Sequence, residues 1–143
     1  MNIFFLNETL KSKEEFFEVI SEKAQELGYF EKAEDCLKGL KEREALGTTG
    51  FQDGFAIPHC KSSKVLFPGI LFFKTKAIEW DSLDENPIEC SFVLLIPESK
   101  AGTEHIILLS KIATALIDDD FRDNIKSASI DELERLIEDM ILS

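Results

Sequence analysis

Residues Phe92–Ile96 are apolar at every position, with no polar residue to mark a solvent side. A strand with one wet face alternates polar and apolar residues, so an uninterrupted apolar strand must be covered on both faces of its sheet. That requirement points to a sheet between helices.

The neighbouring segments supply both kinds of element. Asn2–Leu6 is a short apolar run closed by Asn7 and reads as a buried strand. Ser12 and Glu15 have the capping-box spacing, and Phe16, Phe17, Ile20, Ala24 and Leu27 follow at helical spacing until Gly28. A second helix runs from about Glu31 to Leu46, with Ala33, Cys36, Leu37 and Leu40 on one face, Gly39 in its middle and Gly47 at its end. Strands follow at Phe55–Ile57, Val65–Lys74 and Ser91–Ile96. Thr103 can cap a helix carrying Ile106, Ile107, Leu109, Ile112, Ala113 and Leu116, which the acidic Asp118–Asp120 would end. A short helix fits around Phe121–Ser127. Ser129 with Glu132 then opens a last helix striped by Ile130, Leu133, Leu136, Ile137, Met140 and Ile141. The order strand, two helices, three strands, three helices predicts a three-layer α/β/α sandwich with a mixed, mostly buried sheet. Residues 1–143 read as a single domain, without repeat or linker.

Composition narrows the function. Acidic residues outnumber basic ones 28 to 16, for a net charge of -12, and such a surface repels phosphate backbones and anionic lipids. No nucleic-acid partner is expected. The longest apolar runs fall short of the roughly 20 residues of a membrane helix, and the N-terminus lacks the features of a signal peptide, so no membrane insertion is expected. Cys36, Cys60 and Cys90 fit neither a disulfide framework nor a zinc ribbon, and they suit a reducing cytoplasm.

The most unusual segment is Arg43–Lys61, REALGTTGFQDGFAIPHCK. Glycines and threonines lead into a short apolar run, and Pro58 fixes the backbone directly before His59. A neutral imidazole so held is a nucleophile able to accept a transferable group and release it. A structural histidine is the alternative. Arg43, in the charged run Lys41–Glu44, reads either as an anion ligand or as part of a solvated salt bridge. A metal site using His59, Cys60 and His105 is disfavoured, since adjacent residues of an extended segment point opposite ways and no fourth ligand suggests itself. Cys60 as a protease nucleophile and a glycosidase carboxylate pair have less support still.

Arg43-Glu44, Thr49-Gly50 and Gly54-Phe55-Ala56-Ile57-Pro58-His59 together resemble the active-site signature of the enzyme IIA domains of the bacterial sugar phosphotransferase system, mannitol/fructose type. Trp80 with Asp84, Pro97-Glu98 and His105 fit the same pattern in register, so the resemblance spans essentially the whole chain. It implies a cytoplasmic phosphocarrier in which His59 is the phosphoryl acceptor, as a tele-phosphohistidine. Arg43, 16 residues earlier, and His105, 46 later, would be the other active-site residues. Asp53 stands where Asn or Gly is common and would bring a negative charge near the phosphoryl group.

The implied donor is phospho-HPr, and the implied acceptor is enzyme IIB, through which the phosphoryl group would serve a membrane enzyme IIC. No cofactor or metal is implied. A guanidinium suits such a site because it is always charged and can grip two phosphoryl oxygens at once. His105, in a first helical turn, would donate a hydrogen bond to the phosphoryl group and not attack it. Phe51, Phe55 and Ile57 would either furnish a contact patch or pack inside. The stretch from Trp80 to Pro97 looks closest to the fructose-type subgroup. The alternative is a regulatory, nitrogen-type relative whose phosphorylation state controls a partner protein.

Overall fold

The computed structural model describes residues 2–98 and 103–143, the side chains of 103–105 excepted. Residue contacts divide the chain into two units, Asn2–Ala101 and Gly102–Ser143.

The first unit begins with β1 (Asn2–Phe5), α1 (Lys13–Glu26) and α2 (Ala33–Ala45), followed by β2 (Phe55–Ala56), β3 (His59–Ser62), β4 (Gly69–Ile78) and β5 (Ile88–Pro97). Ser12 accepts a hydrogen bond from the Glu15 N–H and caps α1 as its spacing predicts. The sheet runs β1-β4-β5-β2, with β3 also paired to β5. β1 is parallel to β4, β2 and β3 are parallel to β5, and β4 and β5 are antiparallel, so the sheet is mixed.

One face of the sheet packs on α1 and α2. Phe16, Phe17, Ile20, Ala24, Cys36 and Leu40 meet Leu71, Phe73, Val93 and Leu95 in one apolar cluster. On the other face Phe72 meets Phe92 edge-on at 5.0 Å, with Phe55 stacked beyond it, and all three are fully buried. Apart from Glu89, every residue of β5 is buried, as the apolar run Phe92–Ile96 requires.

Two expectations change here. The first of the three strands expected in this segment is longer than its run, because Phe55–Ile57 does not end at Pro58. Ala56 pairs with Ser91 and His59 with Leu94, both 35 positions on, so β2 and β3 are one strand in a single register along β5. Pro58 has no N–H for the ladder, but its carbonyl still accepts from the Leu94 N–H at 3.0 Å. The strand lies at the edge of the sheet, where proline is tolerated. Second, Val65–Pro68 is not strand. The Val65 N–H turns back to the Ser62 carbonyl and the Leu66 N–H bonds Tyr29, so β4 starts only at Gly69.

The unit Gly102–Ser143 holds α3 (Thr103–Ala115), α4 (Asp119–Ser127) and α5 (Ile130–Leu142). The cap assigned to Thr103 falls outside the described side chains. Asp118, expected to end α3, instead starts α4, its carboxylate accepting from the Asp120 N–H at 2.9 Å. Ser129 caps α5 as expected, and Leu133, Ile137 and Met140 are its buried stripe, while Ile130 is half exposed. The Lys111 ammonium donates to the Ile141 carbonyl at 2.6 Å, supplying a cation to the C-terminal end of α5. Among the described residues no helix is long and apolar enough to cross a membrane.

Candidate active site

The loop between α2 and β2 is a tight hairpin. Asp53 and Gly54 both take positive φ, 55° and 84°, and the Phe55 N–H bonds the Gln52 carbonyl. This is the geometry of a type I′ turn, for which Asp-Gly is a preferred pair. The Phe51 N–H reaches the Phe55 carbonyl at 2.7 Å, Gly50 bridges Ala56, and the Ile57 N–H reaches the Thr49 carbonyl at 2.9 Å. The turn is also tied from outside, since the Asp53 N–H donates to Asp84 at 2.8 Å. That bond, with others from Asn86 and Ser82, holds the Asp84 carboxyl below its usual range. Asp53 thus serves the turn through its backbone.

The hairpin delivers the Ile57 carbonyl and Pro58 to the start of β3. Cys60 faces the α2 side and is fully buried, while His59, the alternate residue, is half-buried. A Cβ at Gly39 would collide with the Cys60 sulfur, so glycine in mid-helix is what lets α2 lie this close to β3. Arg43 follows Gly39 by one helical turn, on the same face. Its Nε donates to His59 Nε2 at 2.9 Å, and its Nη1 donates to the Gly47 carbonyl at 2.8 Å.

These contacts fix the proton on the imidazole. Guanidinium nitrogens only donate, so Nε2 must offer its lone pair. The proton then sits on Nδ1, which lies 2.9 Å from the Ile57 carbonyl and donates to it. The ring is held at both nitrogens, with Nε2 the nucleophilic one, directed at a cation. Such a pair can take up a group at Nε2 and stabilise negative charge beside it.

Sequence reasoning expected roles for Arg43 and His59, and named Glu44 within the signature without giving it one. The Glu44 side chain is 7% exposed. Its carboxylate accepts from the Thr49 hydroxyl, from the Thr49 N–H at 3.1 Å, from Trp80 Nε1 at 3.2 Å and from the Lys13 ammonium at 3.0 Å. Burial alone would lower the Lys13 pKa, but hydrogen bonds to Asp81 and Glu44 outweigh it and leave the ammonium raised.

Burial pushes the Cys60 thiol up to about 12, with the Cys36 and Glu42 charges adding to the effect, and it pushes Cys36 up to about 11. Cys60 is no nucleophile. Among the described residues no three His, Cys, Asp or Glu side chains gather as a cation site. The side chain of His105 lies outside the described residues. Phe55 and Ile57 are buried, 0% and 7% exposed, so they belong to the interior and not to a contact patch, while Phe51 is half-buried. The exposed apolar side chains beside the hairpin are Leu46 and Leu83. Leu83 is held there by its N–H, which bonds the Gly50 and Phe51 carbonyls.

The structure thus joins a mixed sheet, a proline-preceded histidine on its edge strand and an arginine from the preceding helix in one place. Residues 1–140 match the family "Phosphoenolpyruvate-dependent sugar phosphotransferase system, EIIA 2", and the chain belongs to that family.

A nitrogen regulatory protein of Pseudomonas aeruginosa is 42% identical over 106 residues, 73% of this chain and 68% of its own length. A fructose-specific EIIA component of Haloferax volcanii is 28% identical over 99% of this chain and 90% of its own length. In a fructose-specific EIIABC component of Mycoplasma pneumoniae, 30% identical over 80% of this chain, the match spans 16% of the relative.

The crystal structure of the nitrogen regulatory protein IIA-Ntr from Neisseria meningitidis superposes with TM-score 0.82 and 30% identity, covering 98% of this chain and 92% of that one. The mannitol enzyme IIA of Escherichia coli, solved in complex with phosphorylated mannitol enzyme IIB, shares the fold at TM-score 0.77 and 21% identity, with 95% and 94% covered.

Proposed function

We propose that this chain is a cytoplasmic phosphoryl carrier, a single EIIA domain over residues 1–143, in which His59 Nε2 accepts a phosphoryl group from phospho-HPr and passes it on to an enzyme IIB. The observation that carries the reading is the 2.9 Å contact from Arg43 Nε to His59 Nε2, which leaves that nitrogen unprotonated and beside a permanent cation.

The Nε2 lone pair attacks phosphorus in line with the donor's P–N bond. A new P–N bond forms on His59 as the old one breaks, and the donor histidine, which carries a proton on its other ring nitrogen, leaves as a neutral imidazole. The proton on Nδ1 stays in place, so the phosphorylated ring is an imidazolium whose charge is eased by the Ile57 carbonyl. Arg43 occupies the lone pair beforehand and must swing aside as phosphorus arrives. Its guanidinium then meets the equatorial oxygens, where charge accumulates in transfer. Passing the group on reverses these steps, with a cysteine or histidine of the acceptor as nucleophile. The resemblance assigns His105 the part of a further donor to the phosphoryl oxygens, which His105→Gln would keep and His105→Ala would lose.

Incubation with phosphoenolpyruvate, enzyme I and HPr tests this reading. The expected product is one acid-labile, base-stable phosphoryl group on His59, and full labelling of His59→Ala would overturn it.

A second reading concerns only the destination of the group. The 42% identity to a nitrogen regulatory protein supports a regulatory role, in which the phosphorylation state controls a partner protein and no sugar is moved. The fructose-specific relatives support delivery to a fructose-type IIB and, through it, a membrane enzyme IIC. Fast transfer from phosphorylated His59 to a cognate IIB favours transport; a phosphoryl group that stays on the carrier while its binding to a partner changes favours regulation.

A further inference from the structure

Hydrogen bonds around Arg43 and His59 close into a ring. Arg43 Nε meets His59 Nε2, and His59 Nδ1 donates to the Ile57 carbonyl. The Ile57 N–H donates to the Thr49 carbonyl, and the Thr49 N–H and hydroxyl donate to the Glu44 carboxylate. Glu44 is the backbone neighbour of Arg43 at the end of α2, so the ring returns to its starting point. Glu44 therefore holds both partners: Arg43 through the helix, and His59 through two residues, Thr49 and Ile57.

Its other bonds, to Trp80 Nε1 and the Lys13 ammonium, anchor the carboxylate from outside the ring. A nearly buried carboxylate with four donors is stiff. Stiffness matters because a displacement of about 1 Å at a reacting centre can cost on the order of a hundredfold in rate.

We propose that Glu44 is a positioning residue for the phosphoryl acceptor: acting through Thr49 and Ile57, it holds the His59 ring in the tautomer and orientation that present Nε2 to the incoming phosphorus. This rests on the phosphocarrier reading above, yet the tautomer can be measured without any transfer.

The test uses the full chain, with ¹⁵N-edited NMR of the imidazole and steady-state phosphorylation by phospho-HPr. Wild type should show a single Nδ1–H tautomer. Glu44→Ala should show a mixture of tautomers, and kcat should fall by about 10 to 100-fold, by analogy with partners that orient metal-ligating histidines, while KM for phospho-HPr stays within about twofold. Glu44→Gln, which keeps an acceptor oxygen for Thr49, should restore the tautomer and most of the rate. Asp81→Asn, which removes the other partner of Lys13 and leaves the ring intact, should leave the tautomer as in wild type.

A Glu44→Ala protein with a lowered melting temperature but wild-type tautomer and kcat would overturn the proposal, leaving Glu44 a purely structural residue. If Glu44→Ala does not fold, Thr49→Val decides: it loses only the hydroxyl bond and should shift tautomer and kcat in the same direction, and no change in either overturns the idea. A wild-type chain that phospho-HPr fails to label would sink the carrier reading alone, since the tautomer comparison would still judge Glu44.

Discussion

At the scale of single residues, the Arg43–His59 pair divides its work by geometry. Nη1 of Arg43 is tied to the Gly47 carbonyl while Nε reaches Nε2, so the guanidinium plane is set by two bonds at once. Lysine keeps the charge but has one nitrogen and no plane, and it cannot hold Gly47 and His59 together. Arg43→Lys should therefore lower kcat/KM for phosphoryl uptake by the equivalent of about 1–3 kcal/mol, the range for a charge-assisted hydrogen bond. Wild-type kinetics in that variant would return Arg43 to the salt-bridge reading. The pairing of Arg43 with His59 was legible because their residue types and spacing mark it locally. The burial and bonding of Glu44 were not, because inside Lys41–Glu44 it looks like any solvated carboxylate. Two of its donors, Lys13 and Trp80, lie 31 and 36 residues away and meet it only in the folded chain.

At the scale of elements, the helix–strand contact that aligns the site rests on the missing side chain of Gly39. Alanine there would gain up to about 1 kcal/mol of helix propensity, but its methyl would strike Cys60, and overpacking costs about 1–3 kcal/mol. The clash should win. Gly39→Ala should lower the denaturant midpoint, and Cys60→Ala, which removes the sulfur, should recover part of the loss. Strict additivity in the double-mutant cycle would show that the two positions do not press on each other. The hairpin makes a separate prediction. With φ of 55° at Asp53, Asp53→Ala should destabilise by about 1–2 kcal/mol, whereas Asp53→Asn should unfold with wild type. Equal stability of Asp53→Ala would contradict the left-handed turn.

The helices were readable from periodicity and the centre of β5 from its unbroken apolar run, and packing here overrides neither. The continuation of the edge strand through Pro58 was not readable, since proline normally ends a pairing run and only the shared register with β5 shows that this one does not.

For the whole molecule, the governing quantity is the net charge of -12. A carrier must meet a donor and an acceptor in turn and let each go, so its complexes should be small and short-lived and should draw their speed from long-range attraction. Charge of one sign acts beyond contact at low ionic strength and is screened within about 10 Å at 0.1 M salt. Encounter with a basic partner face should accordingly be fast in dilute buffer and slow as salt is added. The proposed chemical step at His59 should hardly respond. Stopped-flow transfer from phospho-HPr is expected to show a second-order rate constant falling by about tenfold or more between roughly 0.01 and 0.5 M salt, while the rate at saturating donor stays constant. Replacing acidic residues on the described exterior, such as Glu42 and Asp81, by their amides should flatten that salt dependence in proportion to the charge removed. A second-order constant that rises with salt would mean that the acidic surface opposes encounter, and recognition would then rest on short-range contacts such as those of the exposed Leu46 and Leu83.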